Sequence, residues 1–131
     1  MIHVLRKLLV TDTAVTNLVP STRISLVNAR QGMERPYIAI DLEETRFENS
    51  SAGISGEIYN CLVFITDTSV ADAWLIQEAV KSRLSQFQGT VTVDTTDYDV
   101  DHIVLMDVMT DSHELHDFYV VAMMFNVYMA P

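Results

Sequence analysis

The sequence predicts an α+β domain: a mainly antiparallel sheet of four to five strands, with an N-terminal helix and one long helix packed on a face. Three observations carry that expectation. Apolar residues recur at helical spacing at the start of the chain and again over residues 69–87. Two segments, 57–66 and 118–129, are apolar on both alternating faces, as strands covered on two sides are. The elements run helix, strands, long helix, strands with no repeat or low-complexity tract, so residues 1–131 read as a single domain.

Taken in order, residues 2–10 read as a helix, with Ile2, Leu5, Leu8 and Leu9 on one side and Arg6 and Lys7 on the other. Asp12 is expected to cap a short helical turn through Leu18, its carboxylate accepting from free amides, and Pro20 ends that turn. Residues 23–27 read as a short strand and 28–35 as a polar stretch turning at Gly32. Pro36 opens the next strand, because a first position need not donate to the ladder. There Ile38, Ile40 and Leu42 alternate with Ala39, Asp41 and Glu43, which predicts one wet face. The Ser- and Gly-containing stretch 47–56 (FENSSAGISG) is expected to be a flexible loop, a long hairpin connection or mobile arm.

Ile58, Leu62 and Phe64 oppose Tyr59, Cys61, Val63 and Ile65 in the doubly apolar strand that follows. Ser69 then starts the long helix, with Asp72 three residues on in a near capping box. Ala73, Ile76, Val80, Leu84 and Phe87 form its apolar stripe, from which Trp74 and Leu75 point away. An off-stripe Trp beside a Leu fits an interface anchor. Gly89 closes the helical region, and strands are expected at 102–109 and 118–129. Two doubly apolar strands exceed what one helical layer covers, and that surplus argues for an oligomer.

An apolar fraction of 49% excludes a low-hydrophobicity disordered chain. No run approaches the roughly 18 apolar residues of a spanning helix. Arg6 and Lys7 interrupt the only candidate signal segment, so folding in a cytoplasm, away from membrane, is expected. The net charge is −10, and every Lys and Arg lies at or before Arg83. Asp94, Asp97, Asp99, Asp101, Asp107, Asp111, Glu114 and Asp117 follow without a fixed positive charge, a balance that disfavours gripping phosphates.

Motifs that carry chemistry are weak. The DYDVDH run, with Asp97, Asp99, Asp101 and His102, lacks the Gly and Glu of an EF-hand loop and reads as a wet strand edge. In HELHD the two histidines, His113 and His116, are three apart, not the four of a zinc-protease helix. A small metal-dependent enzyme using residues 97–117 is the competing reading. Cys61 sits in an apolar run with nothing nearby to lower its pKa. No catalytic residue, metal or cofactor is expected.

The run LRKLLVTDTAVTNLV followed by RISLVNARQGMERPYIAI resembles the tail-completion or tail-terminator proteins of long, non-contractile-tailed phages. The resemblance rests on Asp12, Ala14, Val15, Leu18 and Val19, then Arg23 and Ile24, then Pro36, Tyr37 and Ile38. It continues more weakly through residues 59–65, 72–84 and the closing strand; the acidic C-terminal part departs from it. It implies a virion protein with no enzymatic activity, forming a sixfold ring of itself at the head-proximal end of the tail, where it ends tail polymerisation; another neck or head–tail joining protein is the alternative beside the metal-dependent enzyme. Its partners would be the major tail-tube protein and a head-connector or stopper protein, with DNA passing through but not held tightly. On that footing Trp74, Leu75, Phe47, Asn49, Ser50, Ser51 and Ile54 are candidate subunit or partner contacts. Asp94, Asp97, Asp99 and Asp101 are candidates to face the channel, where like charge keeps DNA from sticking.

Overall fold

The computed structural model describes residues 1–26, 34–50, 53–113 and 118–130. Helix α1 spans Ile2–Val10, α2 Thr13–Thr16 and α3 Val70–Leu84. The strands are β1 (Ile24–Leu26), β2 (Tyr37–Ser50), β3 (Gly53–Asp67), β4 (Gly89–Val93), β5 (Thr96–His113) and β6 (Phe118–Met129). They form one sheet in the order β1-β2-β3-β6-β5-β4. The α+β class holds, with two corrections: among the described residues the sheet has six strands, not four to five, and it is mixed, because β1 runs parallel to β2. Hydrophobic alternation marks a strand's faces but not its neighbour's direction, so the parallel pairing was not readable. β4 carries little hydrophobic signal, because only Val91 of its five residues is buried.

Each helix forms where its apolar spacing meets the sheet. α1 buries Val4, Leu5, Leu8 and Leu9, and α3 buries Ala73, Ile76, Val80 and Leu84. Full burial of such a side chain contributes about 1.5–3 kcal/mol. Both stripes join Cys61, Val63, Ile65, Val121, Met123, Phe125, Val127 and Ile103 in one core cluster. These strand residues share one face of the sheet, called here the inner face. Two guanidinium groups lock the helical layer: Arg83 Nε donates to Leu8 O at 2.8 Å, and Arg6 Nε to Ile24 O at 2.8 Å.

Ser69 caps α3, its Oγ accepting from Asp72 N at 3.3 Å. Asp12 holds the extended N-cap backbone of α2, but its carboxylate makes no capping bond; its carbonyl instead accepts from Thr16 N at 3.0 Å. Phe87 falls beyond the end of α3, although it still packs against the core, and Gly89 opens β4.

In β2, Ile38 and Ile40 are buried, but so is Ala39 (5% exposed), while Leu42 is 38% exposed. β1 flanks β2 only from Ile38 to Ile40, and a bulge interrupts the register between Leu42 and Glu44. Leu42 therefore lies past the shelter of the neighbouring strand. Where a flexible loop was expected over 47–56, the β2–β3 ladder continues through Phe47↔Glu57, Glu48↔Gly56, Asn49↔Ile54 and Ser50↔Gly53. Gly56 is required there by space: a Cβ would lie 2.9 Å from the Met129 carbonyl oxygen.

Candidate interaction surface

The side chains that alternate with the core residues point to the outer face of the sheet. Their register can be followed from strand to strand. Ala39, Phe64, Ala122 and Met109 form one row, Asp41, Leu62, Met124 and Asp107 the next, and Glu44, Asn60, Asn126 and Val104 a third. The rows combine an apolar middle with carboxylates on the flanking strands, and none of the twelve is Lys or Arg. Phe64, Leu62, Ala122, Met124 and Val104 stay only half-buried and outside the core cluster, and Met109 is 48% exposed. Among the described residues no helix packs here. The surplus apolar strand surface noted in the sequence is thus this face.

The third row holds two polar groups in an unusual state. Asn126 is 4% exposed, and its Oδ1 and that of Asn60 are buried without a hydrogen-bond partner among the described residues. Asn60 Nδ2 faces Met124 Sδ at 3.8 Å, a weak acceptor. An unpaired buried carbonyl costs about 1–3 kcal/mol. Below this row the His102 ring stacks on Tyr128 at 4.2 Å, and its Nδ1 lies 2.9 Å from Asp101 Oδ2.

On the opposite side of the molecule α3 turns Trp74 outward. It is 57% exposed, beside Val70 at 56% and Leu75 at 47%. Trp74 lies about 160° around the helix from buried Ile76, and Leu75 about 100°. Of the expected arm residues, Ser51 lies outside the described residues, as do the side chains of Phe47, Asn49, Ser50 and Ile54, whose backbones belong to the β2–β3 ladder.

The acidic quartet gathers at the β4–β5 hairpin. Asp94 occupies its turn with a left-handed backbone (φ 56°), which Asp tolerates better than most residues. Asp97 and Asp99 share the outer side, where Thr92 Oγ1 and Thr90 Oγ1 donate to them at 2.6 and 2.7 Å. Asp101 does not continue their row, because a bulge between Val100 and His102 shifts the register. All four are exposed. Among the described residues no three His, Cys, Asp or Glu side chains converge to hold a metal ion. Residues 114–117 of the HELHD run lie outside the described residues, and of His113 only the backbone is described.

A cleft of about 460 Å³ lies at one end of the sheet, lined by Gly56, Glu57, Tyr59, Asp97, Tyr98 and Asp99 among others. Tyr59 donates to Glu57, and that bond, helped by burial, pushes its phenol up to about 12. Burial pushes the Cys61 thiol up to about 12 as well, so it is a core residue with no thiolate at neutral pH.

The geometry thus defines a class: an α+β domain with one helical layer and one bare, acid-flanked sheet face. A chain from a structure titled "Virion of native gene transfer agent (GTA) particle" has this fold, with a TM-score of 0.79 over 97% of this chain and 92% of that chain. The two are 13% identical, so the likeness is one of fold. No family model matches the chain, and no curated protein does.

Proposed function

We propose that this chain is a structural protein of a phage-like virion. In that reading, copies form a sixfold ring at the head-proximal end of a tail tube, end its polymerisation and offer the surface that a head connector joins. The observation that carries the reading is the pairing of an end-to-end fold likeness to a virion chain with a sheet face that the monomer leaves bare. The residue pattern shared with tail-completion proteins supports the finer role. A ring subunit needs surface that is unsatisfied alone and satisfied by its neighbours. It needs no active site, and a buried, unreactive Cys61 is consistent with that.

Within this reading the β4–β5 hairpin, with Asp94, Asp97, Asp99 and Asp101, turns toward the lumen, where exposed carboxylates repel passing phosphates. The tail tube and the head connector are the partners, and DNA is a passer-by. The test is deletion of the gene. Overlong tails and unjoined heads are expected by electron microscopy. Normal-length tails on infectious particles overturn the role.

A further inference from the structure

The two bare surfaces of the molecule are complementary, and they lie on opposite sides of it. The three outer rows contribute Asp41, Glu44 and Asp107 around an apolar middle, so that face presents carboxylate acceptors, while the Asn60 and Asn126 carbonyl oxygens lie buried beneath it. The helical layer exposes Trp74, whose indole N–H can only donate, with Val70 beside it, Glu78 one turn along and Lys81 two turns along on the same side. Arg6, Lys7 and Arg83 lie on this layer too.

We propose that the outer sheet face of one copy receives the outward side of α3 from the next, with Trp74 on the Phe64–Met124 stripe and Lys81 among the carboxylates. The occupant is a second copy of this chain, and the contact joins two different patches head to tail. A face pairing with its own copy would set Asp41, Glu44 and Asp107 against the same charges, with Arg46 in the next row of the ladder as a fixed positive charge to offset them. In the head-to-tail arrangement every α3 lies between its own sheet and its neighbour's. Closure of the series into a ring rests on the function proposed above; the contact itself does not, since a head-to-tail contact that fails to close yields an open filament.

The test uses the full chain with two reporters, Val70→Cys beside the Trp74 anchor and Met109→Cys, both at exposed positions. Cys61, 0% exposed, does not compete for disulfide formation. Each variant is first checked to melt near the parent. Under mild oxidation the mixture of the two is expected to give disulfide-linked dimers, and either variant alone is not. Self-linking of Met109→Cys would show the face pairing with itself and overturn the proposal. So would sedimentation showing only monomers at the highest soluble concentration, or oligomers in which the mixture stays unlinked. Lys81→Glu is expected to weaken self-association on the order of tenfold, and an unchanged dissociation constant counts against the assignment. Mixed dimers that build open filaments, seen by electron microscopy, leave the contact standing and remove the ring.

Discussion

The two faces of the central strands have nearly the same composition and opposite fates. In β6, Met123 and Phe125 are fully buried under the helices, while Met124, between them in sequence, is half-exposed on the other side. β3 repeats the contrast with Cys61 and Val63 against Leu62 and Phe64. Apolar content alone therefore does not say what a face is for. What separates the two faces is the company they keep: helices on the inner, flanking carboxylates and unpaired asparagines on the outer. The inner face holds the monomer together, and the outer one has stabilisation still to collect.

The largest expected effect contrasts neighbouring residues. Phe125→Ala should cost about 3–5 kcal/mol of stability in urea unfolding, and Met124→Ala under about 1 kcal/mol in the isolated monomer. Equal losses would break the distinction between faces. Gly56→Ala should cost about 1–3 kcal/mol, because the added Cβ meets the Met129 carbonyl and the β3–β6 ladder must shift; a melting temperature equal to the parent's would refute the close approach.

Trp74→Ala should change monomer stability by no more than about 0.5 kcal/mol while weakening self-association. Sedimentation and melting on one sample separate the two, and a large drop in melting temperature with association intact would reverse the assignment. Reactivity sharpens the contrast without a stability change: native Cys61 should resist alkylation, whereas a Leu62→Cys thiol on the outer face should react, as mass spectrometry would record. The smallest effect is a titration. Tyr59's phenol is raised from 10.0 to about 12, so the stability its bond to Glu57 brings is present below pH 10 and lost as pH rises toward 12. Glu57→Ala should move the ultraviolet phenolate midpoint back toward 10.0, and no movement would show that the bond is not the cause.

Strong local signals were legible in the sequence. The span of β6 and the buried stripe of α3 follow from residue spacing, and Ser69 announces the helix start. Signals that depend on partners distant in the chain were not. The Gly and Ser of 47–56 read as a loop because composition reports turn preference, whereas the ladder there is made by pairing with the other arm of the hairpin. The five residues of β4 alternate correctly, but Gly89 looked like a terminator and Asp94 like one more acid, not a two-residue turn. The bulge at Asp101 removed it from the row that strict alternation gives it. Of the candidate surface, Trp74 and the apolar excess could be found from spacing. The Asn60–Asn126 pair could not, because its meaning comes from two strands meeting in register.

The edges of the sheet have a consequence of their own. β1 shields β2 only at Ile38–Ile40, and β4 shields β5 only up to Val100, so the remainder of both long strands carries backbone that no described strand pairs. A comb of free amides and carbonyls templates runaway aggregation in many β proteins, but several teeth here are already taken: Gln86 N donates to Ile103 O, and the Asp41 and Asp107 carboxylates accept from Leu42 N and Val108 N. Here the comb is broken at Glu43, Asp101 and Met106, the extra residues of three bulges, two of them acids. Two copies approaching side by side meet mismatched teeth and like charge. Edge-to-edge pairing of two copies is thereby disfavoured.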